Sequence, residues 1–374
     1  MATNNKILNC PPLRFPQFND KWEQTTLGEI AEIIQTRGKS NTLYLSVESF
    51  LPNFRGISVS LNGIQSSGVI FGTYDTLMSN IRPYLRKVWY ADCGGTCSSD
   101  VLVFRGKSVI HPRFLYTIIA NQSFVDYTMQ GAKGVKMPRG DKQQMLLYSL
   151  SLPSLAEQEK IAGFLSLIDE RIQSCSETIK ERKREKVALL NQLFSQKLRF
   201  PDFNDEWTQT TLGEIADVYQ PTTISSSDLN GLGDYYVYGA NGIIGRYHSY
   251  NHQKKQICIA CRGSSCGTVN LTKEYVWITG NSMVVNLDNH SYSTKLFVYY
   301  YLNTLNYAPY ISGSGQPQII RSSIVNITLR IPSLAEQKKI ADFLSLIDER
   351  IEVEEELLEQ YERQKRYLLR QMFV

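Results

Sequence analysis

The sequence contains itself twice, and that constrains the fold more than any other feature. RFPQFNDKWEQTTLGEIAEI, from Arg14 to Ile33, returns as RFPDFNDEWTQTTLGEIADV, from Arg199 to Val218, with 15 of 20 positions identical. LPSLAEQEKIAGFLSLIDERI, from Leu152 to Ile172, returns as IPSLAEQKKIADFLSLIDERI, from Ile331 to Ile351, with 18 of 21 identical. LLNQLF at Leu189–Phe194 is answered by LLRQMF at Leu368–Phe373. The 374 residues therefore form two tandem halves. Each is a lead-in segment, a block that differs between the halves, and a near-identical lead-out.

The lead-outs read as long helices. Ser154 with Glu157, and Ser333 with Glu336, have the spacing of capping boxes, and Pro153 and Pro332 stand before them. Apolar residues follow at alternating steps of four and three. They are Ile161, Leu165, Ile168, Ile172, Cys175 and Ile179 in the first helix, resuming at Leu189 and Leu193. In the second they are Ile340, Leu344, Ile347, Ile351, Leu358, Tyr361, Leu368 and Met372. This is the seam of a coiled coil, interrupted by Arg182, Lys186, Glu354 and Lys365. A helix of about 40 residues, roughly 60 Å long, is too long for one small core, so two in one chain are expected to pair with each other. In the lead-ins, Thr26 with Glu29 and Thr211 with Glu214 predict short capped helices, with Trp22 and Trp207 as packing anchors.

The differing blocks, about 34–151 and 219–330, hold short β-rich runs such as Val101–Phe104, Gln256–Cys261 and Ser282–Leu287 between Gly, Asn and Ser turns. Each also has a helix-like stretch, Phe114–Phe124 and Lys295–Leu305. The expected fold is α+β: two α/β domains joined by two long helices in a pseudo-two-fold tandem repeat. The expected divisions are 1–151, the helix 152–198, 199–330, and the helix 331–374.

The net charge of +4 is bland until resolved along the chain. The differing blocks carry +7 and +4; the lead-ins carry −1 and −4, and the lead-outs +1 and −3. Two basic modules on a neutral-to-acidic frame form the electrostatic footprint of a bipartite nucleic-acid reader. The candidate DNA-binding residues are Arg82, Arg86, Lys87, Lys133, Lys136, Arg139 and Lys142 in the first block, and Arg246, Lys254, Lys255, Arg262, Gln316, Gln318 and Arg321 in the second. Lys and Arg neutralise phosphates, while Arg and Gln can also pair bidentately with base edges. At the lead-out offset, Met137-Pro138-Arg139 aligns with Gln316-Pro317-Gln318 and Lys142 with Arg321. That suits a loop of one frame and two specificities.

Catalytic signatures are missing. RGKS occurs twice, ending at Ser40 and Ser108, but a phosphate-binding loop needs glycine where Ile33 and Val101 stand. Asn9-Cys10-Pro11-Pro12 lacks the aromatic residue of an adenine-methyltransferase motif, and Pro201-Asp202 has no acidic-x-Lys partner downstream. Cys258, Cys261, Cys266, His248 and His252 invite a zinc reading, but Cys258 and Cys261 fall in or beside a strand, so buried thiols are expected and no metal. No apolar run approaches the ~20 residues of a membrane-spanning helix. The polar first residues and seven cysteines point to a reducing, cytoplasmic setting.

The doubled PSLAEQ-x-KIA-x-FLSLIDERI, the FNDxWxQTTLGEIA before each block, and the block segments Ser79–Arg105 and YGANGIIGRYHSY with GSGQPQI resemble the specificity subunits of type I restriction-modification enzymes. The resemblance spans the whole chain. It implies a non-catalytic DNA reader whose two target-recognition domains each read half of a split, asymmetric double-stranded site, with the two long helices packed as an antiparallel coiled coil that serves as a ruler. It also implies docking of two modification (methyltransferase) subunits and of restriction (motor-nuclease) subunits. S-adenosylmethionine, ATP and Mg would sit on those partners, with no cofactor in this chain. The rival readings are a coiled-coil adaptor without a DNA role, disfavoured by the charged blocks, and a stand-alone DNA-modifying enzyme, disfavoured by the missing motifs.

Overall fold

The structure is a computed structural model and describes residues 11–58, 66–225, 229, 233–313 and 315–373. Asn9 and Cys10 lie outside the described residues. Two compact units form, residues 1–177 with 355–374, and residues 178–354, so each long helix contributes to both.

In the first unit the lead-in begins as a strand, Glu23–Thr26, paired antiparallel with Ser149–Leu152 just before the first long helix. The predicted short helix follows as Leu27–Ile30, and Glu29 accepts the Thr26 N–H at 2.9 Å to close the expected capping box. A four-stranded antiparallel sheet comes next, in the order Ala31–Ile34, Val101–Gly106, Thr76–Ser79, Val88–Tyr90. Val101–Phe104 is buried on both faces, which is why it reads as an unbroken apolar run. The helix expected over Phe114–Phe124 is two helices, Pro112–Ile119 and Gln122–Gln130. Asn121 starts the second by accepting the Ser123 N–H, satisfying a donor that a continuing helix would have bonded differently. A smaller sheet holds Arg37–Ser40, so the first RGKS is a strand.

The second unit repeats this frame. Thr208–Thr211 pairs with Thr328–Ile331, and Glu214 caps Leu212–Ile215 through the Thr211 N–H at 2.7 Å. Its main sheet runs Asp217–Tyr219, Ser282–Asn286, Ile257–Ala260, Val269–Leu271, the same order of lead, last, middle and next strand as in the first unit. The smaller sheets differ: four strands in the first unit, and three, Gly242–Tyr247, Tyr235–Gly239 and Trp277–Ile278, in the second.

The long helices are Leu155–Phe194 and Leu334–Met372. Within the first unit Asp169 pairs with Lys365 at 2.5 Å, and Arg171 reaches the Tyr361 hydroxyl at 3.4 Å. Within the second, Lys186 pairs with Asp348 and Arg182 with Glu354 at 3.9 Å. Numbers rise on one helix as they fall on the other, so in each unit the two segments run antiparallel. The four residues that interrupt the seam thus all form ion pairs across it. Seam residues Ile161, Leu165, Ile168 and Cys175 are buried in the first unit, and Ile179, Ile340, Leu344 and Ile351 in the second. Ile172, Ile347 and Leu358 are half-buried. The last turn of the second helix, with Leu368, Leu369 and Met372, joins the first unit's core, and Phe373 stacks on Phe114.

The lead-out motif does more than cap: Ser333 Oγ accepts the Glu336 N–H at 3.4 Å as the spacing predicts, while the glutamate side chains are engaged elsewhere. Glu157 accepts both Nε and Nη2 of Arg14 at 2.7 Å, and Trp22 Nε1 at 3.2 Å. Glu336 likewise takes Nε and Nη2 of Arg199 at 2.8 and 2.9 Å. A guanidinium fork outcompetes the capping role because a charge-assisted bidentate pair is the stronger bond. The neighbouring glutamines are staples. Gln158 bonds Pro153 O, Val109 O and the His111 N–H; Gln337 bonds Pro332 O, Tyr292 O and the Thr294 N–H. Both copies fasten the start of a helix in the differing block, Pro112–Ile119 or Lys295–Leu302, to the start of the long helix. Trp22 and Trp207 are buried anchors, as expected. Among the described residues no helix is long and apolar enough to cross a membrane.

Candidate nucleic-acid interface

Each unit carries a hairpin loop built on the same backbone pattern. In the first unit, Lys133 and Arg139 exchange two backbone hydrogen bonds at 2.9 Å, and the Arg82 N–H donates to Pro138 O at 2.8 Å. In the second, Ser312 and Gln318 exchange two bonds at 2.9 Å, and the Gly263 N–H donates to Pro317 O at 2.9 Å. A glycine turns each hairpin with positive φ, Gly134 at 99° and Gly313 at 91°, which a side chain would strain.

The frame collects part of each predicted set. In the first unit Arg82, Lys133, Lys136 and Arg139 come together. The Arg82 guanidinium reaches Lys136 O at 3.4 Å, and Ile81 bridges to Arg139. Lys133 pairs with Asp141 at 2.9 Å, and that bond with two backbone N–H groups holds the Asp141 carboxyl below its usual range. Arg139 pairs with Asp100 at 3.2 Å, both side chains substantially exposed. In the second unit the group is Arg262, Gln316 and Gln318, all exposed, with Arg262 bridged to Gln318.

Other candidates lie elsewhere. Arg86 donates to Gln122 at 3.2 Å from a left-handed position, φ 56°. Lys142 and Arg321 open equivalent short helices, Lys142–Leu146 and Arg321–Val325. Two residues are turned to structural work: Lys87 donates to Val47 O at 2.9 Å, and Arg321 Nε to Val218 O at 2.6 Å. Lys254 and Lys255 are exposed in the segment before Ile257–Ala260. Arg246 sits on the smaller sheet, 4.4 Å over the Tyr236 ring, where Lys273 also lies at 4.9 Å.

That sheet carries an aromatic group the sequence reading passed over. Tyr235 meets Tyr250, which meets Tyr275, and Tyr247 meets Trp277, all edge-on within 5.3 Å. The density of Tyr from 235 to 250 was the available signal. Of the cysteines considered for zinc, Cys258 is buried in its strand, its thiol pushed up to about 12 by burial, Cys261 is buried beside it, and Cys266 is half-buried against the core. His252 stacks on Tyr219 and bonds its hydroxyl at 2.9 Å, burial lowering its basicity.

The sequence profile of the type I restriction modification DNA specificity domain matches residues 19–183 and 204–363, one match on each repeat. The chain belongs to that family. Among curated specificity subunits, it is 25% identical over 226 residues to that of the EcoDI enzyme of Escherichia coli, covering 58% of this chain and 49% of that one. It is 21% identical to that of the MjaVIII enzyme of Methanocaldococcus jannaschii, covering 96% and 92%. The chain thus spans about half of the first relative and nearly all of the second. The crystal structure of a type I S subunit from M. genitalium shares the fold, with TM-score 0.67 at 18% identity over 98% of this chain and 99% of that one. The specificity-family chain is therefore a tandem repeat of two α+β domains, each contributing the hairpin described above.

Proposed function

We propose that this specificity-family chain is the non-catalytic DNA-reading subunit of a type I restriction-modification complex. Its two readers, one in each repeat, recognise two different halves of one double-stranded site. The observation that carries the reading is the hairpin at Lys133–Arg139 and Ser312–Gln318: one backbone pattern with different exposed polar side chains, on blocks charged +7 and +4. A common frame presenting different hydrogen-bonding groups is what two half-sites of unlike sequence require.

The repeated lead-ins and lead-outs offer equivalent surfaces to two copies of one partner, here the modification subunits, with the restriction subunits joining them. S-adenosylmethionine, ATP and Mg act on those partners, and the complex works in the cytoplasm. Both chain connections between the units, at 177–178 and 354–355, lie inside helix. The paired helices act as a coiled-coil spacer that fixes the gap between half-sites.

Mapping methylated adenines in cells with and without the gene tests the function. A split motif that depends on the gene is expected; an unchanged methylation pattern refutes it. Gln316→Ala with Gln318→Ala is expected to alter only the second half-site. For the spacer, four residues inserted after Lys180 and four at the facing Glu354 add about 6 Å. The gap is expected to lengthen by about two base pairs, at 3.4 Å each, with both half-sites unchanged. Unchanged spacing refutes the ruler.

A further inference from the structure

The two hairpins are equivalent by their backbone bonds. Lys133 with Arg139 corresponds to Ser312 with Gln318, and Pro138 O, which accepts from Arg82, corresponds to Pro317 O, which accepts from Gly263. One more bond fixes the neighbouring segment: the Asn80 N–H donates to Asp100 O at 2.8 Å, and the Cys261 N–H donates to Asn281 O at 3.0 Å. Position 139 of the first reader is thus position 318 of the second, and position 100 is position 281.

At these two positions the residues change together. The first reader has Asp100 and Arg139, an ion pair. The second has Asn281 and Gln318, two exposed amides. The charge vanishes from both members at once, so the pair stays neutral while its hydrogen-bonding pattern changes.

We infer that positions 139 and 318 are the matched base-reading positions of the two domains, Arg139 taking a guanine and Gln318 an adenine. Asp100 is the positioning residue for Arg139. The inference rests on the DNA-reading function proposed above and adds the residue and the base.

The geometry fits each partner. Arg139 commits Nε and one side of Nη2 to Asp100 Oδ1, each at 3.2 Å. A guanidinium has five donors in a rigid fork, so its outer edge keeps two parallel N–H groups. Guanine offers O6 and N7, two acceptors, to such an edge in the major groove. Asp100 restrains the fork, as a bidentate reader requires. Gln318 makes no side-chain hydrogen bond among the described residues and is exposed. Its amide has one donor side and one acceptor side, the complement of adenine N7 and N6. A carboxylate at position 281 would add repulsion toward the DNA with no arginine at position 318 to hold, and Asn281 avoids it.

The test uses the full chain in its complex with the modification subunits. First, methylated motifs are mapped for the wild type and for two coupled exchanges, Arg139→Gln with Asp100→Asn, and Gln318→Arg with Asn281→Asp. The first exchange is expected to change one position of the first half-site from guanine towards adenine. The second is expected to change one position of the second half-site from adenine towards guanine. A motif that stays the same at normal modification levels overturns the inference. Second, the wild-type complex is bound to duplexes in which each guanine of the first half-site, or adenine of the second, is replaced singly by its 7-deaza analogue. One replacement in each half-site is expected to weaken binding about 5- to 150-fold. That penalty is expected to disappear in Arg139→Ala and Gln318→Ala respectively. This arm decides the matter if an exchange variant fails to assemble: no sensitive position, or a penalty that persists in the alanine variants, overturns the inference. A wild type that supports no split motif at all would instead refute the function on which it rests.

Discussion

Removing Arg14 tests how the lead-in holds the first unit shut. Arg14→Ala leaves the Glu157 carboxylate, 1% exposed, with Trp22 Nε1 at 3.2 Å in place of two further donors at 2.7 Å. Breaking a buried pair by deleting one partner costs about 3–5 kcal/mol, because the surviving charge has neither water nor counter-ion. In a unit of this size each kcal/mol lowers the melting midpoint by about 2–4 °C, so a drop of about 6–20 °C is expected. Native-state hydrogen exchange localises the effect: protection of the Val101–Gly106 amides in the central strand should fall by about two to four orders of magnitude. Replacing both partners with Met removes the stranded charge and restores apolar volume. The remaining cost is then mainly the orphaned Trp22 N–H, about 1–3 kcal/mol. In the second unit Trp207 Nε1 has no acceptor among the described residues, so the double replacement at Arg199 and Glu336 should recover more fully. Two results would sink the argument: exchange within threefold of wild type in Arg14→Ala, or a double variant no more stable than the single one.

Three other outcomes follow from the geometry. Arg82→Ala and Lys136→Ala should each weaken DNA binding of the complex without changing the motif and lower the salt slope by about one; anisotropy titrations across salt concentrations check this. Gly313→Ala places a Cβ 2.6 Å from Gln316 O at a φ of 91°, at a cost of about 1–3 kcal/mol. It should degrade reading of the second half-site more than Gly134→Ala, with 3.2 Å of clearance, degrades the first, as methylation mapping would show. Burial raises the Cys258 thiol from 9 to about 12, so its contribution to stability is complete below pH 9 and is lost as pH rises towards 12. Denaturant titrations from pH 8 to 11 should therefore show a shallower alkaline decline in Cys258→Ala, and equal slopes would count against it.

Much of the scaffold was legible because it is periodic. The helix seam follows from steps of three and four, and the central strands from short apolar runs at Val101–Phe104 and Ile257–Ala260. Local spacing misled at Glu157 and Glu336, where a capping pattern is also the position an arginine 143 or 137 residues away can clasp. The break at Asn121 was written in a residue that caps well, yet the apolar stretch around it reads as one helix. The site was legible in composition but not in assembly. Arg82, Lys133 and Arg139 converge only through the bonds from Arg82 to Pro138 and between Lys133 and Arg139, and Asp100 reaches Arg139 only through the sheet. Lys87 and Arg321 resemble phosphate contacts in the sequence, yet donate to backbone carbonyls in the fold.

The division of the long helices also has a consequence for synthesis. The first unit is completed by residues 355–374: Leu368, Leu369 and Met372 fill its core, and the Leu13 N–H bonds Gln371 O at 2.9 Å. A ribosome makes those residues only after the whole of residues 178–354. The domain whose translation starts first is therefore the last that can close, and its core stays open to the cell while the second unit folds. Contacts between residues so far apart in the chain are slow to form. Released chains truncated after Glu354 should expose the first unit's apolar face to proteases and chaperones while the second unit is already resistant.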